Sequence, residues 1–238
     1  MKGTSSLRDE IKEERNRLLE GKSTGYKIKY YVYYYKWYAI GIIAAIILIA
    51  SVIHSIRTSK DPALGVAVIN ADYEADYDFT AADFGEYIDI DEKHVVQIDH
   101  EFYVSADGEG AYDLQAEEKL FVIIATGQID VLIAPESVFK KYADLGYLTD
   151  ITEILSESDM PDEANIFTGH VADDSVEAVD DANAPRHDER SGINITDFKV
   201  VKDGGWYAGA GEKIYLGFIP EGGNLENAVK FYDYLKGR

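Results

Sequence analysis

Cysteine is absent from the 238 residues, and that absence removes disulfides, thiolate metal sites and cysteine nucleophiles together. It also removes a lipobox, which excludes an acylated lipoprotein. A domain outside the cytoplasm built without disulfides must stand on its own apolar core, and a chain of this length can supply one. Catalytic signatures are missing as well. There is no G-x-S-x-G elbow, no H-E-x-x-H, no P-loop and no kinase set. The five histidines, His54, His94, His100, His170 and His187, never fall at metal-ligand spacing on one helix. Gly205, Gly209 and Gly211 lack the strand-to-helix setting of a phosphate loop. Acidic residues are so numerous that choosing a general acid and base from them is arbitrary. The expectation is a non-enzyme with no cofactor and no metal.

Basic charge is scarce over most of the chain. Residues 1–60 hold eleven Lys/Arg against five Asp/Glu, a net of +6, and the remaining 12 and 39 leave residues 61–238 at −27. Such a domain repels nucleic acid and anionic headgroups, which excludes both as its partners.

Residues 37–56, WYAIGIIAAIILIASVIHSI, have His54 as their only strongly polar side chain. Twenty helical residues span about 30 Å of hydrocarbon. Tyr30, Tyr31, Tyr33, Tyr34, Tyr35, Trp37 and Tyr38 form a belt of amphipathic rings at one end. Lys22, Lys27, Lys29 and Lys36 precede the run, with Lys2, Arg8, Lys12, Arg15 and Arg17 further upstream, and only Arg57 and Lys60 follow it. The positive-inside rule places the N-terminus in the cytoplasm. The long basic leader and the lack of a small-x-small cleavage site favour a signal anchor over a cleaved peptide. The expected organisation is a basic cytoplasmic tail (1–36) with a short helix capped by Ser6, a transmembrane signal-anchor helix (37–56), a linker (57–62) and an acidic domain outside the cell membrane (63–238). A bacterial cell-surface setting fits these features.

Within the acidic domain, Ala63–Ala71 reads as a buried strand. Asp72, Glu74, Asp76 and Asp78 would share one face if extended, but Tyr77 stands where a calcium loop needs glycine. Thr80 is placed to cap a short helix through Tyr87. His94–His100 and Glu101–Ser105 read as two strands running into the turn Asp107–Gly110. A helix over 114–126 would turn Leu114, Leu120, Phe121 and Ile124 to the core. Ile129–Ile133 reads as a strand, and Pro135 suits the first turn of a helix carrying Val138, Phe139, Tyr142 and Leu145 and stopped by Gly146. Residues 156–192 read as an acidic, irregular insertion. Ile193–Val201 and Lys213–Pro220 read as strands, and Asn224 as the cap of a last helix bearing Leu225, Val229, Tyr232 and Leu235. Strand and helix in alternation predict an α/β fold with a mainly parallel sheet and flanking helices.

The run Lys119–Leu155, KLFVIIATGQIDVLIAPESVFKKYADLGYLTDITEIL, resembles extracellular solute-binding proteins of ABC importers, the type 2 periplasmic-binding fold. Ala125, Gly127, Asp130, Tyr142, Gly146, Leu148 and Asp150 carry the resemblance, and the closing NAVKFYDYLKG is similar to that family's C-terminal helix. It implies one lobe of that fold with a vestigial second lobe, since little beyond 156–192 stands where a whole lobe belongs. In an open α/β sheet, ligands approach the carboxyl ends of the strands. That would place Asn70, Asp72, Ala134, Glu136 and Ser137 around a site, with Trp206 and Tyr207 as aromatic walls. Two functions follow as expectations. One is a non-catalytic, membrane-anchored solute-binding-like domain that captures a small-molecule ligand or contacts a transporter permease. The other is an accessory or assembly subunit of an envelope protein complex with no such ligand.

Overall fold

A computed structural model describes residues 4–58, 60–105, 111–172 and 185–237. The chain forms two compact units, 1–59 and 60–238. The expected turn Asp107–Gly110 and part of the acidic stretch, 173–184, lie outside the described residues.

The first unit holds two helices, α1 (Thr4–Leu19) and α2 (Thr24–Thr58). Ser6 therefore lies inside α1 and does not cap it. Gly21, at φ 71°, interrupts the helical path between them. No single helix among the described residues is long and apolar enough to cross a membrane. The arms Thr24–Tyr33 and Tyr35–Ser51, meeting at 52°, reach that length and apolarity together. The physical difference from the expectation is that helix continues well upstream of Trp37, through the tyrosine belt. There Lys36 lies over the Tyr33 ring at 4.7 Å and the Trp37 ring at 5.6 Å.

The second unit is an α/β sandwich on one six-stranded sheet. Its strands are β1 (Asp61–Ile69), β2 (His94–Phe102), β3 (Val131–Pro135), β4 (Ile166–Ala172), β5 (Arg186–Asn194) and β6 (Ile214–Phe218), in the order β2-β1-β3-β6-β5-β4. Among the described residues the β1–β2 and β1–β3 pairs are parallel, while β3–β6, β6–β5 and β5–β4 are antiparallel. The sheet is therefore mixed, not mainly parallel. The reason lies in 156–194, where a 3₁₀ turn at Glu163–Asn165 leads into a hairpin, Ile166 opposite Ile193 and Ala172 opposite Arg186.

The helices of this unit are α3 (Tyr77–Tyr87), α4 (Ala111–Ala125), α5 (Glu136–Asp144), α6 (Ile151–Ile154), α7 (Lys199–Asp203) and α8 (Leu225–Leu235). Strand alternation divides the core. Leu64, Val66 and Val68 of β1, Val131 and Ile133 of β3, and Leu216 and Phe218 of β6 pack with Phe84 of α3 and Phe231 and Leu235 of α8. Ala67, Ile69, Leu132, Ala134 and Tyr215 face the other way, onto Leu120 and Ile124 of α4 and Val138 and Phe139 of α5. A strand covered on both faces can be apolar throughout, and this is why 63–69 lacks polar alternation.

Other expectations are corrected locally. One strand, His94–Phe102, stands in place of the two, with a register irregularity against β1 between Asp99 and Phe102, and 103–105 are not strand. Residues 72–78 are not extended, because Asp72 Oδ1 accepts from the Glu74 N–H (3.0 Å) and Asp76 Oδ1 caps α3 by accepting from the Phe79 N–H (2.9 Å). Thr80 sits inside that helix. In α4, Leu120 and Ile124 are buried but Leu114 and Phe121 are exposed, and Leu145 after α5 is exposed too. Past Asn194 the chain turns instead of extending, since Asn194 Oδ1 accepts from both the N–H (3.0 Å) and the hydroxyl (2.6 Å) of Thr196, and α7 follows.

Asp130 is the one buried carboxylate among the described residues. Its Oδ2 accepts from the Gly65 N–H at 2.7 Å and its Oδ1 from the Asn224 N–H at 2.8 Å. It thereby ties β1 and the start of α8 to the entry of β3. Asn224 stands at the head of α8, but its side chain makes no capping bond.

Candidate functional site

In an open α/β sheet the crevice for a ligand opens where the strand order reverses, at the carboxyl ends of the strands. Here that point lies between β1 and β3, which run parallel in the centre of the sheet. Asn70 leaves β1 at φ 55°, a left-handed conformation that asparagine tolerates better than most residues. Its side chain is used up locally: Oδ1 accepts from the Val104 N–H (2.8 Å) and Nδ2 donates to the Val104 carbonyl (2.7 Å). Asp72 donates its N–H to the Trp206 carbonyl at 2.7 Å. Trp206 is wholly buried, with its ring 5.3 Å from that of Tyr77, which in turn stacks on His100 at 4.4 Å. The Tyr77 hydroxyl donates to the Asp72 carbonyl at 3.0 Å.

Tyr207 closes the crevice. Its hydroxyl donates to the Ile69 carbonyl at 2.8 Å and lies 3.3 Å from the Ile133 carbonyl, bridging the ends of β1 and β3. Burial pushes this phenol well above its ordinary range, and Tyr77 adds to the effect. Tyr77 is raised by burial first, then by Asp72 and Tyr103. Both hydroxyls therefore remain donors at any physiological pH. Gly205, at φ 65°, and Gly209, at φ 92°, provide the backbone turns that fold this segment over the strand ends.

On the other side of the crevice, α5 begins at Glu136 after Pro135. The free N–H groups of a helix start attract anions, but here the chain itself supplies the acceptors. Glu136 donates its N–H to the Lys213 carbonyl and Ser137 to Glu212 Oε2, both at 2.9 Å. Ala134 is fully buried, in register with Tyr215, and is core.

The strand-end rule thus gathers Asn70, Asp72, Trp206 and Tyr207 around one crevice and Glu136 and Ser137 beside it, while Ala134 drops out. Tyr77, His100 and Glu212 join the group without having been legible, because their contacts run to backbone atoms or aromatic faces and leave no spacing pattern. A cavity of about 180 Å³ remains beside Tyr207, bounded by Thr196, Val201, Lys202, Glu212 and Ile214. Pockets that enclose a small molecule start at about 300 Å³. Among the described residues no group of three or more His, Asp or Glu is gathered for a metal ion. His94 pairs with Asp91 and His170 with Asp188, each at 2.6 Å.

No family model, curated protein or solved structure matches this chain.

Proposed function

We propose that the chain is a membrane-anchored domain displayed outside the cytoplasm, non-catalytic, which works by contacting another protein of the cell envelope as an accessory or assembly subunit. One observation carries this: the crevice at the ends of β1 and β3 is filled by the chain's own Trp206 and Tyr207. A domain specialised for enclosing a solute keeps that crevice open.

Anchoring is supported by α2. Ile40, Ile42, Ile43, Ile46, Ile47 and Leu48 are each more than half exposed, on all sides of the helix. A helix apolar all round needs a lipid or protein environment. The flanking lysines support a cytoplasmic N-terminus. Descent from a solute-binding design is supported by the succession α4, β3, α5 over the resembling run, with Gly127 and Gly146 in positive φ at 66° and 74° after the two helices.

The second reading, solute capture for a transporter permease, draws on the cavity beside Tyr207. It requires the 204–212 segment to swing away first.

The two readings separate in one experiment. The full chain in detergent is unfolded thermally against sugars, amino acids, dipeptides and divalent cations. A solute that binds only the folded state adds about 2.7 kcal/mol at a hundredfold excess over its dissociation constant. No shift is expected. A clear rise with one solute class overturns the partner-contact reading in favour of capture.

A further inference from the structure

The sheet has one edge that its own chain leaves half covered. β2 pairs with β1 on one side, and no strand among the described residues pairs with its other side. An unpaired edge is a template for another strand, and proteins blunt edges that have no such use. The far half of β2 is blunted in this way. Asp99 Oδ1 accepts from the Glu101 N–H at 3.1 Å, and Lys119 of α4 reaches Asp99 Oδ2 at 2.9 Å while lying over the Phe102 ring at 4.6 Å. The near half, His94–Val96, is covered at its start, where the His94 N–H donates to the Asp91 carbonyl at 3.2 Å and the His94 ring pairs with Asp91 Oδ1 at 2.6 Å. It forms one wall of a groove of about 530 Å³ whose other wall is α3.

That wall is low, because α3 presents Ala81, Ala82 and Gly85 to the groove. Its polar lining is mainly acidic: Asp78, Glu86 and Asp89 line the groove with Lys60 and His94. None of these three acids forms an ion pair among the described residues. An open strand edge facing a helix across a groove suits an extended peptide, whose backbone joins the ladder while alternate side chains meet the helix. The charge selects the occupant. A second copy would bring another domain of net charge −27 (12 Lys/Arg against 39 Asp/Glu in 61–238), and the two would repel.

We propose that the β2–α3 groove binds an extended, lysine- or arginine-bearing segment of a partner protein, which adds to the sheet edge at His94–Val96 and presents its cations to Asp78, Glu86 and Asp89. This rests on the partner-contact reading above and names the surface that serves it.

The test uses the full chain in detergent and a fluorescent peptide of alternating Lys and Val, with a Glu–Val peptide as the charge control. The Lys–Val peptide is expected to bind and the Glu–Val peptide not to. Backbone amide exchange over 94–97 is expected to slow on binding. Ala82→Phe, which fills the groove from an exposed helix position, is expected to abolish binding. The double variant Asp78→Asn/Glu86→Gln keeps the shape and is expected to weaken binding roughly two- to thirtyfold, the range of two exposed ion pairs. This double variant carries the test should Ala82→Phe unfold the domain.

Equal binding by the charge-neutralised or groove-filled chain marks general adhesion to an acidic surface and overturns the proposal, as does no binding at all. A dimer of the chain that Ala82→Phe disperses assigns the groove to a second copy and overturns it too. The solute panel keeps the two levels apart. A failed peptide with a silent panel removes only the groove, whereas a solute-induced shift removes the reading beneath it.

Discussion

The hydroxyl of Tyr207 donates to the carbonyl oxygen of Ile69 at 2.8 Å, across 138 positions of sequence. The bond places a loop side chain where the parallel centre of the sheet would otherwise open to a ligand. Tyr207→Phe removes the hydroxyl and leaves the carbonyl at the end of β1 without that donor. A buried acceptor deprived of its partner costs about 1–3 kcal/mol. The expected result is that loss in denaturant unfolding of the full chain, with no change in how it associates with other proteins. Unchanged stability would show that the plug is not held by this bond.

Asp130 supports a second prediction. Its carboxylate accepts from the N–H groups of Gly65 and Asn224. Asp130→Ala strands both donors, and at about 1–3 kcal/mol each the loss is about 2–6 kcal/mol. Asp130→Asn retains one carbonyl acceptor and should lose less. Hydrogen exchange at the Gly65 and Asn224 amides separates this account from a general loosening, because those two amides should lose protection first.

Glu189 provides a pH dependence. Burial raises its carboxyl above the ordinary value, Asp150 and Glu153 add to the rise, and His187 partly offsets it. Because the folded state disfavours the charged form, the penalty is full above the raised value and vanishes below the unfolded one, about 4.3 for glutamate. Glu189→Gln should therefore stabilise the domain at neutral pH, with the gain disappearing as the pH falls through the carboxylate range. A gain that is constant from pH 8 to about pH 4 would assign it to packing instead.

The anchor is testable on intact cells. The chain should stay with membranes through an alkaline carbonate wash, and protease added outside should digest residues 60–238 while sparing an N-terminal tag. Release by the wash would sink the anchored reading, and protection of the acidic domain would reverse its orientation.

The central strands were legible because β1 and β3 are buried on both faces, and continuous apolar runs such as Leu64–Ile69 and Val131–Ala134 have few other uses in a domain of this kind. The β4–β5 hairpin was not. Arg186, His187, Asp188 and Glu189 stand opposite β4, and only Ile193 and Asn194 reach β6. Such strands are stabilised by cross-strand pairing more than by burial, and their composition resembles a solvated loop. With the hairpin went the direction of half the sheet. At the candidate site, the rule about strand ends led to the crevice where Asn70, Asp72, Trp206 and Tyr207 meet. It could not show that they fill the crevice, because hydrogen bonds to backbone carbonyls such as those of Ile69 and Val104 have no signature in side-chain type.

The tie made by Asp130 also bears on how the chain is assembled. The carboxylate sits 65 positions from one of its partners and 94 from the other, and β3 awaits β6 across a comparable span. Closing loops of that length is entropically costly and slow. A chain made from its N-terminus therefore carries β1 and β3 while residues 136–213 are made, with Asp130 matched by Gly65 alone and an edge of β3 bare. The native arrangement becomes available only when the last helix arrives, and until then the nascent domain depends on whatever shields apolar strands from one another.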